Sequence, residues 1–169
     1  MNTEADALSN VLDNSDWKLL SVWFDRLSRA WGPFDIDRFA SHLNNQLPLF
    51  NSRFWCPGTA GVDCFLFDWH GYNNWVNADY SQMARVIQHM RYCKAKGCLI
   101  VPYWPGRSWW HLLFPSGEFW PKETWGEGVK DIFVFPRNVP IFAEAYGGSR
   151  SAAKPPKFLA LAVYVDYDE

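Results

Sequence analysis

The stretch YSQMARVIQHMRYCKAKGCLIV, residues 80–101, decides the fold class. Met83, Val86, Ile87 and Met90 recur at the three- and four-residue spacing of one helix face. The spacing predicts a helix from Tyr80 to Lys96, with Gly97 as its stop. Cys98-Leu99-Ile100-Val101 follows as an unbroken apolar run, the pattern of a strand buried on both faces. An amphipathic helix feeding such a strand is the repeating unit of an α/β sheet.

Upstream, Trp75-Val76-Asn77 reads as a short strand and Phe34-Asp35-Ile36-Asp37 alternates as another. A first helix carries Leu20, Trp23, Phe24, Leu27 and Trp31 on one face, with Lys18, Asp25, Arg26 and Arg29 largely on the other. Asn14-Ser15-Asp16 offers caps at its start and Gly32-Pro33 ends it. Residues 40–74 hold turn signals at Asn44-Asn45, Pro48, Pro57-Gly58 and Asn73-Asn74. Downstream, Ser108 to Leu113 suits a short helix, and Asp131–Phe135 and Phe158–Val165 suit strands. No helix separates those two strands, so they are expected to pair antiparallel at an edge. The intervening 136–157 is rich in Pro, Gly, Ser and Ala and is expected to be an exposed excursion. The fold expected is a Rossmann-like three-layer open α/β sheet, with the strands at Phe34, Trp75 and Leu99 parallel and neighbouring.

At 169 residues the chain has the length of about one domain, and 49% hydrophobic with 20% charged residues excludes a disordered composition. Thirteen Phe, eleven Trp and seven Tyr are the anomaly: so many rings must stack in a core or face a partner. A net charge of −2 and a pI near 6.1 argue against a dedicated DNA-binding domain, leaving a nucleic-acid partner to be held locally or by other domains. No apolar run reaches the length of a membrane span. The acidic start, Met1 to Asp6, lacks the regions of a signal peptide, so the location expected is intracellular, cytoplasmic or nuclear. Cys56, Cys64, Cys93 and Cys98 are then reduced thiols.

His89, Cys93 and Cys98 are one ligand short of a structural zinc site, so no metal is expected. Arg85, Arg91, Lys94 and Lys96 make the second helix cationic toward its end, which complements the helix dipole. Tryptophans 104, 109, 110, 120 and 125 are either a stacking platform for bases or packing residues.

Several runs carry a resemblance. NTEADALS, residues 2–9, resembles the "N-x-x-A-D-x-L-S-R" end of retrotransposon ribonuclease H domains, with Asn10 where Arg is common. DW (16–17), WGPFDIDRFASHLNNQLPLFNSRFWCPG (31–58), VDCFLFDW (62–69), NNW (73–75) and CKAKGCLIVPYWPGRSWW (93–110) resemble the segment that follows ribonuclease H in DIRS-type retrotransposon polyproteins. That segment is similar to phage Dam-type adenine-N6 methyltransferases, which share a D-x-x-A element, a D…W element, an Asn-Pro-Pro-Tyr element and a final strand ending in Pro. The resemblance covers 16–115, and the tail from about 116 to 169 lies outside it.

The resemblance implies that 1–15 is a ribonuclease H remnant or linker, with residues 1–12 poorly packed and Asp6 the relic of a metal-binding carboxylate. It implies a methyltransferase-like domain over 16–169, with S-adenosylmethionine as the possible cofactor. Asp37, Phe39 and Ala40 match the cofactor-side element, and Asp68, with Asp63 and Trp69 beside it, matches the acidic-aromatic element. Asn77-Ala78-Asp79-Tyr80 stands at the catalytic motif. There Asn77 would hold the adenine amine and Tyr80 would stack on the flipped base. Both prolines that fix the carbonyl between them are replaced. The function implied is a retroelement-derived, catalytically degraded methyltransferase domain. The alternatives are an active S-adenosylmethionine-dependent adenine-N6 DNA methyltransferase and a non-catalytic nucleic-acid or protein interaction module. The partners implied are DNA, single-stranded or with a flipped base, and other domains of a polyprotein.

Overall fold

The computed structural model describes residues 17–144 and 154–168. Its elements in chain order are β1 (Trp17–Leu19), α1 (Ser21–Trp31), β2 (Ile36–Ala40), β3 (Phe50–Ser52), β4 (Asn73–Val76), α2 (Met83–Cys93), β5 (Lys96–Pro102), α3 (Trp110–Leu113), β6 (Val129–Val134), β7 (Phe142–Glu144) and β8 (Ala160–Asp166). Short 3-10 turns lie at Cys64–Leu66, Tyr80–Gln82 and Lys122–Thr124.

Six strands form one mixed sheet in the order β3-β2-β4-β5-β8-β6. The first four are parallel, and the register runs Asp37 to Trp75 to Cys98 across β2, β4 and β5. The strands expected around Phe34, Trp75 and Leu99 are therefore parallel neighbours. The two late strands pair antiparallel, Ile132 opposite Val163, as their uninterrupted succession suggests. β8, however, does not lie at the edge. It sits between β5 and β6, antiparallel to both, which leaves β6 outermost.

Alternation along β5 and β8 supplies apolar side chains to both faces. Cys98, Ile100, Ala160 and Ala162 join Leu27 of α1, Phe34, Trp75 and Phe135 on one side. Leu99, Val101, Leu161, Val163 and Val165 join Met83, Val86, Ile87 and Met90 of α2 and Trp110 and Leu113 of α3 on the other. Each such large apolar side chain, fully buried, contributes about 1.5–3 kcal/mol. A separate two-stranded ribbon, β1 with β7, packs Leu19 and Phe142 into the α1 side.

α2 is shorter than its apolar spacing predicts. It ends at Cys93, where Lys94 turns left-handed at φ 53° and Ala95 N–H returns to the Met90 carbonyl. Gly97 is not the stop: it lies inside β5, where a Cβ would meet the Asn74 carbonyl oxygen at 2.3 Å. α1 begins at Ser21 without a side-chain cap. The caps expected at Asn14 to Asp16, and the loose packing expected for 1–12, lie outside the described residues. The excursion expected over 136–157 is corrected in part. Ile141 and Phe142 are buried, because β7 carries them onto the sheet beside Leu19. Residues 145–153 lie outside the description. Among the described residues no helix is long and apolar enough to cross a membrane.

Candidate functional site

In open α/β sheets, ligands bind beyond the carboxyl ends of the parallel strands. Here that edge is built by the residues after β2, β4 and β5. Asn77 follows β4 directly, half-buried, and its Nδ2 donates to the Trp17 carbonyl at 3.3 Å. Asp79 caps the next turn, its Oδ1 accepting from Ser81 N–H at 3.0 Å. Tyr80 is buried, and its ring meets Trp104 at 5.3 Å and Phe158 at 5.7 Å, both edge-on. Burial raises its phenol well above the usual range, so it is neutral at any working pH. Tyr80 is thus the buried member of a three-ring cluster whose other two rings are half-buried, and burial rather than the cluster keeps it from serving as a free platform.

The residues matched to the cofactor side are spread apart. Asp37 is buried in β2. Its Oδ1 accepts from Phe39 N–H at 3.2 Å and its Oδ2 from Gln46 N–H at 3.0 Å. Burial raises this carboxyl to about 7, although the two amides and Lys18 act in the opposite direction. Gln46 in turn donates to the Leu19 carbonyl at 2.8 Å. Asn77 and Asp37 are therefore both linked to β1, one directly and one through Gln46. Phe39 belongs to the opposite side of the sheet, with its ring at 5.7 Å from Phe65 and 6.2 Å from Trp69. Ala40 closes β2 opposite Ser52. Asp68 is exposed in the turn before β4, where the His70 backbone N–H, donating at 2.9 Å, holds it below the usual carboxylate range. With both Asp37 oxygens taken by backbone, and with Phe39 and Asp68 elsewhere, these residues do not fit S-adenosylmethionine as one binding surface.

One polar group was not anticipated. Arg38 is 3% exposed inside β2. Its Nε donates to Asn74 Oδ1 at 2.7 Å and its Nη1 to Asn51 Oδ1 at 2.8 Å. The guanidinium lies 5.2 Å from the Trp69 ring and 5.0 Å from the Tyr72 ring, and Nη2 is buried without a partner. Burial lowers it to about 10, which leaves it charged at neutral pH. Sequence carries a faint signal for such a residue: a lone Arg between Asp37 and Phe39 in a strand bounded by apolar residues.

His89 Nε2 lies 3.4 Å from Cys93 Sγ and 2.9 Å from the Phe67 carbonyl. Cys98 is on the other face of the sheet. Among the described residues no three His, Cys, Asp or Glu side chains gather to hold a metal ion. All four cysteines are free thiols. The cations of α2 are engaged locally, with Arg85 4.0 Å from the Phe65 ring and Arg91 donating to the Leu112 carbonyl at 2.7 Å. Of the late tryptophans, Trp109 and Trp110 are core, Trp125 is partly buried and Trp120 is exposed. Trp104 is half-buried and borders an open groove beside the carboxyl end of β5, with Arg107 5.1 Å from its ring. No protein-family model matches the sequence, and no characterised protein matches it significantly.

Proposed function

We propose that this chain is a Rossmann-like, three-layer methyltransferase-fold domain of retroelement origin that no longer transfers methyl groups and acts as a DNA-binding module. The sequence runs at 31–58 and 93–110 support the origin. A parallel β3-β2-β4-β5 core with apolar residues on both faces supports the architecture. The observation that carries the loss of activity is the burial of Tyr80 against Trp104 and Phe158, which removes the ring that would stack on a flipped base. Amine capture needs the Asn77 carboxamide and the following carbonyl to converge on one nitrogen, and a misplacement of about 1 Å can cost about 10²-fold. Here the carboxamide is tied to β1, the two prolines are Ala78 and Asp79, and Tyr80 is buried against Trp104 and Phe158.

The test is calorimetry with S-adenosylmethionine, followed by labelled methyl transfer to single- and double-stranded DNA. The expected result is no micromolar cofactor binding and no turnover. Turnover abolished by Asn77→Ala would reject the reading in favour of an active enzyme.

A further inference from the structure

We infer that the Trp104–Phe158 ring pair and the cations on either side of it form a binding track for single-stranded nucleic acid. The two rings lie 5.7 Å apart at the point where β5 ends and β8 begins. Tyr103 N–H donates to the Leu159 carbonyl at 2.8 Å, so the two chain segments are fixed side by side. Trp104 faces the open groove that also holds Arg107. Phe158 borders a second hollow, about 140 Å³, which also holds Arg137, Asn138 and Lys157. Each hollow is thus lined by one ring of the pair. At that volume the second has room for a phosphate group.

The charge pattern selects the occupant. Arg107, Arg137 and Lys157 are exposed, and no described Asp or Glu lines either hollow. Glu118, bonded to the Tyr103 hydroxyl at 3.1 Å, and Asp79, bonded to Ser81 N–H at 3.0 Å, stand outside both linings. Cations flanking half-buried rings match a strand whose phosphates alternate with bases. Stacking of bases on such rings contributes about 1–3 kcal/mol per base and tolerates any sequence. A duplex keeps its base faces stacked internally and cannot use the rings. The inference rests on DNA being the partner of this edge but does not depend on methyl transfer.

The test is fluorescence anisotropy of a labelled strand of about fifteen thymidines titrated with the full chain from about 20 to 200 mM salt. Three phosphate contacts at about −0.7 each give an expected log–log salt slope near −2. Arg137→Ala with Lys157→Ala should bring that slope to about −0.7. Trp104→Ala should weaken binding about 5- to 150-fold with the slope unchanged, and Trp104→Phe should retain most of the affinity. Phe at this position also controls for loss of fold. Three results would overturn the proposal: no binding at the lowest salt, variants equal to the parent, or equal competition by an abasic strand or a duplex. Methyl transfer appearing while these signatures hold would reject the function proposed above and leave this track standing.

Discussion

Arg38 and Asn74 are joined across neighbouring parallel strands by a 2.7 Å bond from the guanidinium Nε to the carboxamide oxygen. The same carboxamide extends the link. Its Nδ2 reaches the carbonyls of Trp69 and Tyr72 at 3.1 Å and of Lys96 at 2.8 Å. One buried side chain thereby fastens β2, the turn before β4, and the first residue of β5.

Replacing Arg38 by Lys keeps the charge and removes the fork. An ammonium cannot repeat the paired Nε and Nη1 geometry toward Asn74 and Asn51. Hydrogen bonds to charged groups are each worth about 1.5–3 kcal/mol, so Arg38→Lys should destabilise the fold by about 3 kcal/mol. Urea unfolding reads this directly, and a loss below about 1 kcal/mol would count against the network's role.

Asp37 should impose a pH dependence of unusual sign for a carboxylate. Burial raises it from 3.8 to about 7, so the folded state holds the proton where the unfolded chain has released it. The stability it contributes is complete below about pH 4 and is lost as pH rises through about 7, at up to about 1.4 kcal/mol per unit. Asp37→Asn should remove that part of the slope. Unfolding free energies of both proteins between about pH 4.5 and 8 make the comparison, and identical slopes would refute it.

Asn77→Ala should act through the β1 ribbon. Losing one bond to the Trp17 carbonyl costs about 1 kcal/mol, which corresponds to about a fivefold rise in local opening. Hydrogen exchange at residues 17–19 is the measurement. Protection left intact would mean that the packing of Leu19 and Phe142 alone holds the ribbon.

Gly97→Ala should be far more damaging than a single methyl group suggests. Its Cβ would lie 2.3 Å from the Asn74 carbonyl oxygen and 2.9 Å from Asn74 Cβ, so β4 and β5 would have to move apart. Overpacking of this kind costs about 1–3 kcal/mol. A thermal melt within a degree of the parent would show that the strands give way without strain.

The sheet's centre was legible because its signals are local. The apolar run 98–101 and the spacing of Met83, Val86, Ile87 and Met90 each reflect burial on a known period. The strand at Trp75 was legible for the same reason, although Asn77 falls just past its end rather than inside it and Tyr80 opens a 3-10 turn ahead of the helix. The ribbon was not. Trp17 and Phe142, whose rings lie 5.4 Å apart, come from three-residue strands far apart in sequence, and β7 is embedded among turn-forming residues. The end of α2 is not legible because Gly97 suits either a helix stop or a close strand contact, and the approach of Asn74 selects the second. Asp37's environment depends on Gln46 and β1, and no spacing within β2 encodes that.

The insertion of β8 between β5 and β6 has a consequence for synthesis. A chain emerging from the ribosome makes both flanking strands well before the one that joins them. Until residues 160–166 are out, β5 offers one open hydrogen-bonding edge and β6 lacks its partner. The hydrophobic side also lacks Leu161, Val163 and Val165. Pairing across such sequence distances is slow, and open apolar edges recruit other chains. A premature stop anywhere before β8 therefore yields an aggregating fragment rather than a smaller version of the domain, and demand for chaperones should fall once β8 has emerged.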